Sequence, residues 1–194
     1  QKQLMIQIQE LIKHFVLGIA SIFILNNVMA DDTKIRNFAN EIREVKEEYG
    51  KDSFEYSIPN SFVLTVATAE TGNMEFAGAP TAKKAKNYFG IHPIGDDDFL
   101  PTGGGAKLRK FENSKDSIRA FLKLISTGSA YDNVRKSIEQ GQPVEKLFMN
   151  MGSYAEKSDY PQFLNTVYRT RVNEILNPIL PKRKPLNAQM EGLN

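Results

Sequence analysis

The chain has no cysteine among its 194 residues, which excludes disulfides, thiolate metal sites and cysteine nucleophiles. It has only two histidines, His14 and His92. One histidine outside the N-terminal segment, without a cysteine to join it, argues against a zinc site and against a Ser-His-Asp hydrolase. The formal net charge of +2 is too small to indicate a nucleic-acid partner. We expect no metal and no other cofactor.

The sequence also lacks a hydrophobic run of the roughly 20 residues that cross a membrane comfortably. A shorter, mostly apolar run at residues 15–25 follows Lys13, and Val28 and Ala30 come after it. A basic residue, a short apolar core and small residues at this spacing are typical of a secretory signal peptide. We expect residues 1–30 to be a cleaved signal, the alternative being a retained anchor or a buried N-terminal helix. Cleavage predicts export to the periplasm or cell wall, without stable membrane insertion.

The rest of the sequence has the length of one globular domain with short extensions. We assign residues 31–180 to that domain. Residues 181–194, which contain Lys182, Arg183 and Lys184, are assigned to a basic tail. The sequence has no internal repeat and no feature that indicates an oligomer, so we expect a monomer.

Apolar residues three or four positions apart predict helices along most of this domain. The predicted helices cover residues 32–49, 57–69, 81–86, 131–139, 144–149 and 160–176, and another begins at Ser114. Residues 88–94 and 107–111 instead predict two short strands, joined by a long mobile loop at 95–105 that is rich in aspartate and glycine. The fold class is therefore α+β and mainly α, with a small inserted hairpin that forms a wall or lid of a cleft.

Glu70 is the most unusual residue of the predicted helices. It shares the apolar face of its helix with Phe62, Val63 and Val66. Burial disfavours an ionised carboxylate, and the negative end of the helix dipole disfavours it further. Both effects raise the pKa of Glu70, and an acid that stays protonated near neutral pH can protonate a glycosidic oxygen. The alternative is that the Glu70 side chain points into solvent or pairs with a lysine.

Five segments, in order along the chain, resemble motifs of the autolysin-type glucosaminidases, which include the flagellar peptidoglycan hydrolase and the Bax-like proteins. The first is VATAETGN at residues 66–73, similar to the alanine-rich helix ending in Glu-Ser-Gly that carries the acid in that family. The others are KNYFGIH at 86–92, LRKFENSKDSI at 108–118, AY at 130–131, and YA at 154–155 with Tyr160 after it. Together they span nearly the whole predicted domain, and the Bax-like branch is the most similar.

The resemblance implies a lysozyme-like helical fold with the hairpin beside the cleft, and Glu70 as the general acid. It also implies an endo-β-N-acetylglucosaminidase that hydrolyses the β-1,4 bond between N-acetylglucosamine and N-acetylmuramic acid in peptidoglycan strands. The sequence departs from the family at three places. Thr71 replaces the usual serine, Asn73 stands where tryptophan is common, and residues 156–158 are Glu-Lys-Ser rather than Thr-Asp-Pro.

A second catalytic carboxylate could face Glu70 across the cleft. Asp98, with its neighbours Asp96 and Asp97, and Glu112 lie in or next to the predicted hairpin. A gap of about 5 Å between carboxyl groups indicates a covalent nucleophile, and about 6.5–9.5 Å indicates a base that activates water. The alternatives are that the aspartates are solvated surface and that Glu112 caps the next helix. In a third mechanism, the N-acetyl group of the substrate attacks C1 itself.

Six residues of the matching segments are candidates for substrate binding. They are Asn87, Tyr88, His92, Tyr131, Tyr154 and Tyr160. A tyrosine can stack on a sugar and hydrogen-bond through its hydroxyl, although it is also common at the edge of a core. We also expect Asn87 to shape the turn into the hairpin, and Gly90 indicates a close approach of two backbones.

Two other classes of function remain open. A lytic transglycosylase or a muramidase can use the same glutamate at a helix end, and its products would differ from those of a glucosaminidase. A non-catalytic glycan-binding module could keep the fold without the activity, and the departures at Thr71 and Asn73 are compatible with that.

Overall fold

The computed structural model describes residues 32–155 and 158–177. Within them the predicted fold class is confirmed, because the protein is mainly helical with one two-stranded antiparallel hairpin. The signal or anchor expected at residues 1–30 and the basic tail expected at 181–194 lie outside the described residues. No helix in the described ranges is both long and apolar enough to cross a membrane.

The α-helices follow the predicted order along the chain. They are α1 over residues 32–49, α2 Phe54–Ser57, α3 Asn60–Thr71, α4 Pro80–Lys84, α5 Ser114–Thr127, α6 Asp132–Glu139, α7 Val144–Met149, α8 Tyr160–Val167 and α9 Asn173–Leu176. A 3₁₀ turn, Ser129–Tyr131, precedes α6, and a π-helical turn, Tyr168–Val172, joins α8 to α9. The sequence pattern does not predict α2. Ser57, the first residue of the helix predicted at 57–69, ends α2 instead, and α3 follows Pro59 without a side-chain cap.

Helix α3 is the centre of the domain because nearly all of its sides are buried. Eight of its 12 residues are buried, and it contacts α7, α8 and the π-helical turn. The hydroxyls of Thr65, Thr68 and Thr71 each donate a 2.7 Å hydrogen bond to the carbonyl four residues earlier. These polar groups can therefore be buried without an unpaired donor. The C-terminal end of α3 lies beside α8, which brings two distant parts of the sequence together.

Lys46 holds α1 against the start of α3. Its side chain is buried, and its ammonium donates to the Ile58 carbonyl at 2.5 Å and to Asn60 Oδ1 at 2.7 Å. Burial disfavours the charged form and lowers the pKa of Lys46 to about 8. The two bonds fix the chain at the point where α3 begins, which sets the position of the helix relative to α1.

Stacked aromatic rings form much of the core around α3. Phe89 stacks on Phe121 of α5 with ring centroids 4.3 Å apart, and Phe62 of α3 stacks on Phe148 of α7 at 5.7 Å. All four rings are fully buried. The segment that contains Phe89 is therefore anchored in the same core as α3 and α5.

The β-hairpin begins later in the chain than the sequence pattern predicts. Strand β1 is Phe99–Pro101 and strand β2 is Lys107–Arg109, with Phe99 paired to Arg109. The strand predicted at residues 88–94 is wrong, and so is the long mobile loop at 95–105, because β1 lies inside it. Residues 103–105, which are all glycine, instead lie in a tight turn, in which the Thr102 N–H donates to the Ala106 carbonyl at 2.7 Å.

The strand prediction at residues 88–94 is wrong because side-chain burial alternates there although the backbone is not part of the hairpin. Phe89 and Ile91 alternate in the core as strand residues would, which is why the pattern resembles a strand. Their backbone forms a loop instead. It is joined to β2 by the bond from the Arg109 N–H to the Ile91 carbonyl, at 2.9 Å.

Candidate functional site

Glu70 lies in the last turn of α3, at the edge of the core. The helix ends at Gly72, which has a left-handed φ of 58° and donates its N–H to the Thr68 carbonyl, a common helix end for glycine. Burial raises the pKa of Glu70 above the ordinary carboxyl value. The sequence predicts a raised pKa for Glu70, and the structure attributes it to the partial burial of the side chain.

Tyr160, the first residue of α8, is the hydrogen-bond partner of Glu70. Its hydroxyl donates to Oε1 of Glu70 at 2.6 Å, and its side chain is only 6% exposed. This bond lowers the pKa of Glu70, but by less than burial raises it. Burial and the nearby Glu70 charge also raise the pKa of Tyr160, so the phenol keeps its proton and remains a donor.

Gly90 lies against the other carboxyl oxygen of Glu70. Its φ is 65°, and a Cβ built on it would lie 3.0 Å from Oε2 of Glu70. Two constraints therefore require glycine here: the left-handed backbone, and the absence of a side chain beside the carboxyl group. Since Tyr160 occupies Oε1, Gly90 leaves room for a reacting atom near Oε2.

Asn87 shapes the loop that carries Gly90, as the sequence predicts. Its side chain is 1% exposed. Its amide nitrogen donates to the carbonyls of Ile91 at 2.8 Å and Arg109 at 3.0 Å, and its amide oxygen accepts from the N–H groups of Phe89 and Ile91. These bonds use both amide protons and both lone pairs. They leave no group of Asn87 free for a substrate.

Three tyrosines expected to contact sugar lie together beside Glu70. The Tyr154 ring stacks on Tyr160 with centroids 5.8 Å apart and lies 6.1 Å from Tyr131. The Tyr154 hydroxyl donates to the Phe89 carbonyl, so Tyr154 connects the loop of Gly90 to α8. Tyr131 and Tyr160 are only 7% and 6% exposed, which leaves little of either ring for stacking on a sugar.

The segment after Glu70 has an unusual backbone. Asn73, Met74 and Phe76 have positive φ values of 62°, 66° and 55°, a conformation that costs a residue with a side chain roughly 1–2 kcal/mol. The Thr71 hydroxyl accepts from the Met74 N–H at 2.9 Å, and Asn73 Oδ1 accepts from Arg171 at 3.4 Å. Thr71 and Asn73, the two residues that depart from the family pattern here, therefore both form hydrogen bonds within the protein.

The remaining substrate-binding candidates lie elsewhere. Tyr88 stacks on Phe38 of α1 at 4.6 Å and meets the edge of Phe76 at 5.0 Å, and its N–H bonds to Ser117 Oγ. Tyr88 therefore packs against α1. His92 is exposed, two residues beyond Gly90.

Neither proposed second carboxylate contacts Glu70 in the described residues. The Asp98 side chain is 84% exposed and pairs with Lys110 at 3.6 Å. Glu112 is exposed. It does not cap α5, because the cap is Asn113, whose side chain accepts from the N–H of the third residue of α5 at 2.9 Å. The part of the chain that the structure describes contains no cluster of three or more histidines, aspartates or glutamates that could hold a metal ion.

Phe163 is a residue of this region that the sequence pattern does not identify. It follows Tyr160 by one helical turn on α8, its ring is 48% exposed, and the two ring centroids are 6.4 Å apart. An aromatic residue at this spacing is usually assigned to a core face, so its exposure could not be read from the sequence. It presents an open aromatic face next to the hydrogen-bond partner of Glu70.

Comparison with family models identifies the family of this chain. The glucosaminidase family, described as mannosyl-glycoprotein endo-β-N-acetylglucosaminidase, matches residues 46–172. Among solved structures, the chain is similar to the catalytic domain of the autolysin Auto from Listeria monocytogenes, with a TM-score of 0.52 and 18% identity. The similarity covers 75% of this chain and 86% of that domain, and it shows a shared fold. The comparison with curated proteins gave no significant match.

Proposed function

The chain belongs to the glucosaminidase family, and we propose that it hydrolyses the β-1,4 bond between N-acetylglucosamine and N-acetylmuramic acid in peptidoglycan strands. The observation that carries this proposal is the environment of Glu70, where burial raises the pKa and Tyr160 fixes one carboxyl oxygen. An acid that keeps its proton and is held in one orientation suits protonation of a leaving oxygen. The fold shared with an autolysin supports a cell-wall glycan, rather than a glycoprotein, as the substrate.

The proton that Glu70 transfers is carried by Oε2. Tyr160 donates to Oε1, so Oε2 is the oxygen left to bind the proton, and it faces the space that Gly90 keeps open. As the bond between C1 and the glycosidic oxygen breaks, this proton passes to the leaving oxygen. The carboxylate that results is stabilised by the hydrogen bond from Tyr160.

The nucleophile we propose is the acetamido oxygen of the substrate's own N-acetylglucosamine. Asp98 and Glu112, the candidates for a second carboxylate, are solvent-exposed, and neither contributes to the pKa shift of Glu70. In this route the acetamido oxygen bonds to C1 while the glycosidic oxygen leaves with the proton of Glu70. Water then attacks C1, the bond between C1 and the acetamido oxygen breaks, and the water gives a proton back to the Glu70 carboxylate. The acetamido group is regenerated, and the sugar leaves with retained configuration.

The neighbours of Glu70 take supporting roles in this proposal. Tyr160 and Tyr154 position the acid and the loop of Gly90, Phe163 gives a sugar ring a surface on which to stack, and exposed His92 contacts the glycan. We further propose that the protein belongs to the Bax-like branch, is exported by its N-terminal segment and acts as a monomer in the periplasm or at the cell wall.

The test is mass spectrometry of the fragments that residues 31–194 release from purified peptidoglycan, after borohydride reduction. Reduced N-acetylglucosamine ends are expected from the wild-type protein. Glu70→Gln should lower their rate of release by about 10²–10⁴, the usual contribution of a general acid. Glu112→Gln and Asp98→Asn are the matched controls, and each should stay within about threefold of the wild type, because an exposed carboxylate outside the site contributes little.

Other outcomes identify other functions. Anhydro-muramic ends would indicate a lytic transglycosylase, and reduced muramic ends a muramidase. Binding of wall fragments without any cleavage would indicate a glycan-binding module. Loss of activity in Glu112→Gln or Asp98→Asn would show that the substituted carboxylate, rather than the acetamido oxygen, is the second catalytic group.

A further inference from the structure

A groove of about 630 Å³ runs along one side of α5. One wall is the face of α5 that carries Asp116, Arg119, Lys123 and Thr127, and the other wall contains Ile91, Ile94 and Arg109. None of these residues belongs to the cluster of tyrosines around Glu70. The groove is therefore a separate feature that the acid chemistry does not use.

The groove lies next to the site of Glu70 at two points. Ile91 follows Gly90, whose missing Cβ leaves the space beside Oε2 of Glu70. Thr127 precedes Gly128, where an added Cβ would lie 3.0 Å from the ring of Tyr131. Consecutive Cα atoms are about 3.8 Å apart, so at these two points the backbone that lines the groove adjoins the backbone that lines the site of Glu70.

The lining of the groove combines apolar surface with charges of both signs. Ile94 is 75% exposed, and Arg109 pairs with Asp97 at 3.2 Å. Arg119 pairs with Asp116 at 2.7 Å and with Glu48 at 2.8 Å. Lys123 is exposed and has no ion-pair partner among the residues that the structure describes. A ligand that combines a carboxylate with small apolar side chains would match the cation of Lys123 and the exposed Ile94.

The same lining is poorly suited to a neutral sugar. The Phe111 ring is buried and covered by the Arg109 guanidinium, 5.2 Å from its centroid. The Tyr49 hydroxyl donates to the Arg119 carbonyl. The partly exposed Tyr49 is therefore the aromatic surface that this lining offers a sugar ring, whereas Phe163 beside Tyr160 is 48% exposed.

We propose that this groove binds the peptide attached to muramic acid, so that the enzyme prefers peptide-bearing strands over bare glycan. The inference rests on the proposed function, since it assigns a specificity to the same substrate. Lys123, which has no ion-pair partner among the described residues, attracts a carboxylate of the peptide, and exposed Ile94 packs on the alanine side chains of the peptide.

The first test compares intact strands with strands from which an amidase has removed the peptides. We expect kcat/KM for intact strands to be higher by about tenfold or more, the value of roughly one charge-assisted contact. Lys123→Glu should lower kcat/KM on intact strands by about tenfold and leave bare strands within about twofold. Lys136→Glu, an exposed lysine of α6 outside the groove, is the control and should change neither value. Equal kcat/KM on both strands in the wild type would overturn the inference and leave the proposed function intact.

A second measurement keeps the two proposals separable if no strand is cut. The free tetrapeptide L-alanyl-γ-D-glutamyl-diaminopimelyl-D-alanine is titrated into the wild-type protein and into Lys123→Glu by calorimetry. Binding that Lys123→Glu weakens at least about fivefold supports the groove, even if the glycosidase proposal fails. Absence of binding to the wild type, or equal binding to both proteins, rejects it.

Discussion

The Tyr160 hydroxyl donates a 2.6 Å hydrogen bond to Oε1 of Glu70 across 90 positions of sequence. The bond has two consequences for the acid. It fixes which carboxyl oxygen is free, and it opposes the upward shift that burial gives to the pKa of Glu70. The pKa of the acid is therefore set by two effects that can be changed separately.

Tyr160→Phe should shift the pH dependence of activity in a specific direction. The hydrogen bond stabilises the ionised carboxylate, so its removal raises the pKa of Glu70 further. A general acid works in its protonated form, and the alkaline limb of the kcat/KM profile should therefore move to higher pH. The maximum should fall by about tenfold, because the carboxylate formed in the reaction loses a charge-assisted bond. A limb that stays in place or moves to lower pH would contradict this account.

Gly90→Ala should reduce activity more than its effect on stability explains. Gly95 provides the matched control, because its φ of 60° is similar to the 65° of Gly90 but nothing lies near its missing Cβ. Both substitutions should cost about 1 kcal/mol in the free energy of unfolding, from the left-handed backbone. Only Gly90→Ala should also lower kcat, by about 10², because its Cβ displaces the carboxyl group of Glu70. Equal losses of kcat in the two variants would show that backbone strain alone is responsible.

Glu70→Gln should make the protein more stable at neutral pH. Since the folded-state pKa of Glu70 is raised, the folded protein binds more protons than the unfolded chain above the unfolded pKa. The carboxyl group therefore destabilises the fold increasingly as pH rises through the folded pKa. Melting temperatures of the two proteins should differ at pH 7 and converge below roughly pH 4, where the carboxyl group is protonated in both states. A wild type that is the more stable protein at pH 7 would contradict the buried-acid assignment.

Asn87→Ala should act on stability through the loop of Gly90. The substitution removes a donor from the carbonyls of Ile91 and Arg109 and the acceptor of the buried Ile91 N–H. It should cost about 3 kcal/mol in urea unfolding. Asn113→Ala, which removes the cap of α5 at an exposed position, should cost only about 1 kcal/mol. A near-neutral Asn87→Ala with a raised KM would instead favour the substrate contact that the family resemblance implies.

Phe163→Ala should weaken substrate binding without altering the chemistry. Met149→Ala is a suitable control, since Met149 is 50% exposed, close to the 48% of Phe163, but lies on α7. Loss of one stacking surface should raise KM for glycan strands by about five- to tenfold while kcat changes little. The control should leave KM unchanged. Equal effects of the two substitutions would show that general surface hydrophobicity, rather than stacking, is involved.

Sequence reasoning could predict Glu70 because a helical period places a carboxylate among apolar residues. It could not predict that Tyr160 would bind that carboxylate, because the period of α8 gives its buried face but not its partner in α3. For the same reason Tyr131 and Tyr154 were matched to sugar, whereas their rings pack on each other. Which side chains meet across the core depends on the packing of helices far apart in sequence.

The misplaced strand has a different cause. Alternating burial at Phe89 and Ile91 gives the period of a strand, but Asn87 replaces the ladder of backbone bonds with bonds from its own amide group. Side chains that take over backbone hydrogen bonds in this way compete with regular structure. A short strand such as Phe99–Pro101, exposed at two of its three residues, has too little apolar pattern to be found.

The distance in sequence between Glu70 and its partner also orders events in time. A ribosome completes α3 long before it adds Tyr154 and Tyr160, so the growing chain carries its acid residue well before the groups that orient it. A product truncated before residue 154 retains the glutamate, yet lacks the phenol that holds Oε1 and the ring that supports the loop of Gly90. The acid site can therefore form only after synthesis has passed residue 160.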